Sequence, residues 1–411
     1  MSTRWTCAAG AALGVATLMA AHASPAAGQV AVRGETVYTM AGSPITNGVV
    51  LIGADGRIER VGPSSQMSVP DGYRILEARV VTPGLIDAHT VVGLAGALNQ
   101  PHDQDQLERS DAIQPSLRAV DAYNAREVLV DWLRGYGVTT LHTGHGPGAL
   151  VSGQTMLVKT RGGSVDAAVM DTLAAIAMTL GPQVGSNFSR PGTRAKGVAM
   201  LRAKFEEARH YTERRRTAPA AQRPGRNLDL EMFAAVLDGR VPALITAQRV
   251  SEILAALRLQ REFGFRMILD GGAESYLVLD EIRAAGVPVI LHPTMARHSG
   301  TMANATLETA SILRDAGITI ALQSGFESYV PKTRVVLFEA AMAAAYGLGV
   351  EGALASITRD AAAILGISDR VGTLEAGKDG DVVLFDGDPF EYTSHVCAVI
   401  IEGRVVEETC R

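Results

Sequence analysis

Alternation of short β-branched runs with amphipathic helical segments predicts an α/β protein: a (β/α)8 TIM-like barrel with a small composite β-sandwich built from both chain ends. Two further observations support this. The alternating stretch, residues 81–371, is roughly 290 residues long, close to the ~250 residues typical of such a barrel with insertions. Each chain end is a succession of short strands and tight turns, and neither end can bury a core alone. The boundaries follow: 1–28 a signal peptide and leader, 29–80 and 372–411 the two parts of the sandwich, 81–371 the barrel.

The chain has 411 residues, 47% hydrophobic and 20% charged, which is ordinary for a soluble globular protein. Its 38 basic and 43 acidic residues give no electrostatic case for nucleic acid or an anionic membrane. Arg4, the small and apolar run Cys7–Ala20, and Ala21-His22-Ala23 read as a secretory signal with its cleavage site. A second cleavage candidate is Pro25-Ala26-Ala27, and the bland alternative is an Ala-rich disordered terminus. The run is too short to span a bilayer. The expectation is a secreted or periplasmic protein with no membrane span in the mature chain. Cys397 and Cys410 remain after cleavage, near a predicted hairpin, as either a disulfide or two free thiols.

Taken in order, Glu35–Tyr38, Gly48–Ile52 and Arg57–Val61 are β-rich, and Asp55-Gly56 is a hairpin signal. The barrel opens with Val80-Val-Thr-Pro-Gly-Leu-Ile-Asp-Ala-His-Thr-Val-Val-Gly93. On a regular strand Asp87, His89 and Val91 share one face. Further strands are expected at Val138–Leu141, Ala243–Ala247, Arg266–Leu269, Val287–Leu291 and Ile318–Leu322. The third and fourth fall somewhere within Thr155–Leu230. A helix over Val250–Phe263 should end at Gly264. Leu94–Asn124 is expected to loop over the barrel mouth, and Arg209–Asn227 to be a solvated helix end and loop or a basic docking site. At the tail, Asp381–Phe385 and Cys397–Ile401 are strand-like.

Three stretches carry a resemblance. Pro83-Gly-Leu-Ile-Asp-Ala-His89 is similar to the opening barrel strand of the amidohydrolase superfamily, which carries Pro-Gly-x-Ile-Asp-x-His-x-His. Gly372-Thr-Leu-Glu-Ala-Gly-Lys-Asp-Gly-Asp381 is similar to the same superfamily's entry into its last strands. Gly146–Gln154 resembles a glycine loop of its exported, imidazolonepropionase-like members. The resemblance implies the composite sandwich, and a metal site at the C-terminal strand ends. That site uses His-x-His on strand one, Lys or Glu on strand four, His on strands five and six, and Asp on strand eight. The metals acidify a bound water and the Asp takes its proton.

This chain departs from the pattern at most positions. His89 is present, but Val91 replaces the second His. Strand five offers Thr246 and Gln248, followed by Arg249; strand six offers Asp270, and strand eight Gly325. Val91 and Gly325 cannot ligate through a side chain. Asp270 could bind a cation or hydrogen-bond a loop. Lys159 could be a bridging lysine, or a solvated or substrate-facing charge. Asp87, His89, Lys159, Thr246, Gln248, Arg249, Asp270 and Gly325 are therefore the pocket candidates. His89, His142, His145 and His292 follow predicted strands and are the candidate ligands of a rebuilt Zn²⁺ site, or loop-bonding histidines. Arg249, Arg297 and Lys332 could attract a small anionic ligand.

The expected function is an exported superfamily member with a degenerate metal site and weak or absent hydrolysis. It would act as a binding or partner subunit, with itself or with an intact paralogue. The alternative is a metal-dependent hydrolase of non-peptide C–N bonds, amide or cyclic amide, using the rebuilt His site.

Overall fold

The computed structural model describes residues 28–98, 100–325 and 335–411. The expected signal segment 1–27 and Lys332 lie outside the described residues.

Both chain ends contribute to one seven-stranded sheet. The N-terminal part supplies β1 (Val30–Val37), β2 (Ile45–Ile52), β3 (Ile58–Pro63) and β4 (Arg74–Pro83). Eight barrel strands intervene. The C-terminal part then supplies β13 (Val382–Phe385), β14 (Val396–Ile401) and β15 (Arg404–Glu407). The order is β15-β14-β13-β4-β1-β2-β3, so β4 and β13 join the two ends. Gly56 sits at φ +80 in the turn between β2 and β3, as the Asp-Gly signal requires. One face is sealed by a cluster that includes Val32, Val50, Ile52, Val382 and Ile400. Cys397 and Cys410 form a disulfide between β14 and the segment after β15.

Pro83-Gly84 turns the chain from this sheet into the barrel. A Cβ on Gly84 would lie 2.2 Å from Thr139 Oγ1, so only glycine lets the two strands approach there. The barrel-like sheet has eight strands in sequence order. They are β5 (Leu85–Thr90), β6 (Val138–Gly144), β7 (Val151–Lys159), β8 (Val169–Thr179), β9 (Ala243–Ala247), β10 (Met267–Gly271), β11 (Val289–Leu291) and β12 (Ile320–Leu322). A parallel bridge between Thr90 and Gly325 brings its first and last strands together. Helices such as Val250–Phe263 lie between strands, and that one ends on Gly264 at φ +75.

The expectation of a fully parallel barrel is corrected at strand three. β7 runs antiparallel to both β6 and β8. The reason is loop length: a parallel pair needs a crossover of about a dozen residues or more, and six residues join β6 to β7. Strand three begins at Val151, ahead of the expected window, and strand four is β8. The inversion sends Lys159, the last residue of β7, to the barrel floor.

The helical stretch Val336–Ser356 is long and apolar enough by composition to cross a membrane, with a mean hydropathy of 1.2. It is broken at Tyr346 and Gly347 into helices Val336–Ala343 and Gly349–Ser356. Each has 8 residues, about 12 Å of helix against the ~30 Å of a bilayer core.

Candidate functional site at the barrel mouth

The barrel interior is filled by Ile86, Ala88, Leu157, Ala175, Leu244, Ile268, Ile290 and Ala321. On a strand the residue two positions on points the same way. Thr246, Asp270, His292 and Gln323 each follow one of these core residues by two, and all four line a cavity of about 360 Å3 at the mouth. His89, Val91, Gln248, Arg297 and Gly325 line it as well. β5 reaches it irregularly: its register with β6 shifts between Asp87 and Thr90. The expected single face of Asp87, His89 and Val91 is therefore not kept.

Asp270 is the hub. Its Oδ1 lies 2.9 Å from His89 Nδ1 and accepts from Gln323 Nε2 at 2.8 Å. Its Oδ2 accepts from Thr246 Oγ1 at 2.6 Å. Burial opposes the charge on Asp270, but the His89 charge and the three hydrogen bonds outweigh it and hold the carboxyl below its usual range. Burial likewise opposes charge on His89, and the Asp270 carboxylate overcomes it, raising the imidazole above its ordinary value. The two form a buried ion pair, with His89 Nε2 unpartnered.

Asp87 lies beneath the mouth rather than in its lining. Its Oδ1 accepts the Ser324 amide at 2.9 Å, while Oδ2 has no partner. Burial pushes its carboxyl up to about 6, against the pull of Ser324 and His89.

The four candidate metal histidines do not form one donor set. His142 stands behind His89, with ring centroids 5.7 Å apart. Its Nδ1 lies 2.7 Å from the Ala88 carbonyl and its Nε2 2.7 Å from Thr155 Oγ1. A carbonyl can only accept, so Nδ1 carries the proton and Nε2 takes the Thr155 hydroxyl; neither nitrogen is left for a metal. Burial and the His89 charge press His142 down to about 3, so it stays neutral. His145 is buried in the β6–β7 turn, away from the mouth lining, and burial lowers it to about 4. His292 lines the mouth, donates from Nδ1 to the Pro293 carbonyl at 2.8 Å, and leaves Nε2 bare. Burial lowers it to about 4. Among the described residues no group of three or more His, Cys, Asp or Glu side chains could hold a metal ion.

Besides Asp87, two further pocket candidates lie outside the mouth lining. Lys159 is buried at the barrel floor, where its Nζ meets Asp381 Oδ2 at 2.5 Å and Asp379 Oδ2 at 3.2 Å. That corrects its reading as a bridging or substrate-facing lysine. Arg249 donates to the Gly300 carbonyl at 3.2 Å and borders a neighbouring cavity. Gln323 is a mouth residue that sequence reasoning missed. Its signal was the alternation itself, two positions beyond Ala321.

A model described as the amidohydrolase family matches residues 238–407. An imidazolonepropionase from Rhizorhabdus wittichii is 27% identical over 393 residues, covering 86% of this chain and 92% of that protein. The amidohydrolase tasK of Hapsidospora irregularis is 27% identical over 387 residues, 84% of this chain; the chain spans only 38% of that protein's length. A crystal structure of an amidohydrolase from Thermotoga maritima superposes with a TM-score of 0.86 at 27% identity, covering 92% of this chain and 100% of that one. Zinc is present in the more distant solved structure of atrazine chlorohydrolase TrzN from Arthrobacter aurescens. It covers 92% of this chain and 95% of that one, and at 19% identity and a TM-score of 0.57 it speaks for the fold alone.

Proposed function

Because this chain belongs to the amidohydrolase superfamily, we propose that it retains the barrel as a small-molecule-binding unit whose binuclear metal site is degenerate. Metal-dependent hydrolysis is weak or absent. The observation that carries this reading is the hydrogen-bonding state of Asp270. Its two oxygens already take donors from His89, Thr246 and Gln323. A cation there would have to break a buried ion pair and leave those donors unsatisfied, at a cost of several kcal/mol. The substitutions at Val91, Thr246 and Gly325 point the same way, because none supplies an imidazole or carboxylate. Zn²⁺ suits the superfamily, but this donor set does not fit a binuclear centre.

The cavity is at the small end of ligand pockets. Arg297 on its wall favours an anion, so small carboxylates are the first ligands to try. Export to a periplasmic or extracellular space is part of the proposal, and the Cys397–Cys410 disulfide suits an oxidising compartment. So is assembly with a second copy or with an intact paralogue.

The test is a panel of N-acyl amino acids, dipeptides and cyclic amides assayed with added Zn²⁺ or Mn²⁺, alongside metal analysis of the purified protein. The expected result is no metal-dependent turnover and no near-stoichiometric transition metal. Small carboxylates should raise the melting temperature. Metal-dependent turnover that His89→Ala abolishes would instead establish the C–N hydrolase.

A further inference from the structure

We propose that the outer face of the helices Val128–Gly135 and Val336–Ala343 is the surface on which a second copy of this chain docks, the two related by a twofold axis. The inference rests on the self-assembly part of the proposal above and is independent of whether a metal binds at the mouth.

Five of the ten exposed large apolar side chains among the described residues gather there. Val128 and Trp132, 63% and 40% exposed, stand one turn apart on the first helix. Leu98, 67% exposed, lies beside the start of that helix, where Glu127 accepts the Ala97 amide at 3.0 Å. Trp132 meets Tyr136 edge-on at 5.0 Å between ring centroids, and Tyr136 meets Phe338 at 5.3 Å. The two helices therefore share one aromatic ridge. From Phe338, 44% exposed, Ala341, Met342 and Ala345 continue the stripe at three- and four-residue spacing toward Tyr346, 40% exposed. No charged side chain reaches solvent between Val335 and Val350, because Glu339, the one charged residue there, is buried. A helix on the surface of a monomer normally turns a polar face to water.

Area and chemistry point to a second copy as the occupant. With side-chain surfaces of roughly 150–250 Å2 each, the five leave on the order of 500 Å2 of apolar surface in water. A stable interface buries about 800 Å2 per partner, and in homodimers about 65% of it is apolar, which is also on the order of 500 Å2. The composition agrees, because Trp, Tyr, Phe and Met are enriched at interfaces. The rim carries both signs: Glu127 and Asp131 balance Arg126 and Arg134, and Arg134 pairs with Asp131 at 2.7 Å. Under a twofold axis such a rim can meet its own copy base to acid. A membrane surface fits less well. Interfacial helices carry an excess of Lys and Arg beside their apolar face, and this rim has none.

Sedimentation velocity of the full chain from about 1 to 100 μM tests this, because interfaces of this size hold at micromolar concentration or below. The expected species is a dimer. Trp132→Glu combined with Phe338→Glu should weaken it by about tenfold or more, with an unchanged circular dichroism spectrum as the check on folding. A second measurement needs no charge at the ridge. In Trp5→Phe, Trp132 is the only tryptophan, and its quenching by acrylamide should be nearly absent in the dimer. A monomer throughout the concentration range overturns the inference and the self-assembly reading together. A dimer that the double variant leaves intact, or one in which Trp132 is freely quenched, forms through another face. In that case self-assembly stands and this inference falls. A monomer that sediments with phosphatidylglycerol–phosphatidylcholine vesicles overturns it as well and gives the ridge to a membrane.

Discussion

Asp87 shows how one buried carboxyl couples the site to pH. Its Oδ2 has no partner, and burial raises its pKa from 3.8 to about 6. A carboxyl raised in the folded state binds its proton more tightly there. Its ionisation therefore costs stability between about pH 4 and pH 6, and the cost stays constant above that. Asp87→Asn, which is never charged, should gain on the wild type by about 2 kcal/mol as the pH rises from 4 to 7. Urea unfolding at the two pH values checks it, and a pH-independent difference would count against the assignment. The neighbouring ion pair has the opposite acid limb. Asp270, held low, contributes stability above its unfolded pKa and loses it as the pH falls through the folded value. His89, held high, contributes below its unfolded pKa and loses it as the pH rises through the folded value.

At the scale of the element, the inverted strand β7 decides which side chains reach the mouth. Its tight entry is built around Gly153, at φ +140. A Cβ there would lie 2.5 Å from the His145 ring and 3.0 Å from the Leu117 carbonyl oxygen. Gly153→Ala should therefore destabilise the protein by about 2 kcal/mol or more, from strain and overpacking together. Denaturant unfolding measures it, and a cost below about 0.5 kcal/mol would mean that the turn adjusts freely. The same inversion explains why strands three and four leave no clear signal in the sequence. Without crossover helices, β6, β7 and β8 follow one another as a meander, and the βαβ rhythm that marks the other strands is missing.

For the whole molecule, the junction between the two sheets rests on Lys159. It is buried between Asp379 and Asp381, and Arg370 also pairs with Asp379 at 2.7 Å. Removing one partner of a buried pair leaves uncompensated charge, so Lys159→Met should cost about 3–5 kcal/mol. Ligand-induced thermal shifts should survive in that variant, because Lys159 lies at the floor and the cavity at the opposite end. Loss of ligand response with unchanged stability would return Lys159 to the site. The β4–β13 pairing at the same junction explains why a motif near residue 83 and another near residue 381 travel together: Val382 pairs with Pro83.

The amino-acid sequence determined the strand–helix rhythm, the strand-rich ends and the bounds of β9 to the residue, because hydrophobic alternation and Gly or Pro punctuation are local. It also named His89, Thr246, Asp270 and His292, because each stands at the end of a recognisable strand. Tertiary structure alone decided what these residues do. Only closure of the sheet brings His89 of β5 to Asp270 of β10, 181 positions away, and commits that carboxylate to three donors. Only the reversal of β7 carries Lys159 to the floor. Hydrogen-bond partners across a barrel are set by the register of distant strands, and no local pattern records them.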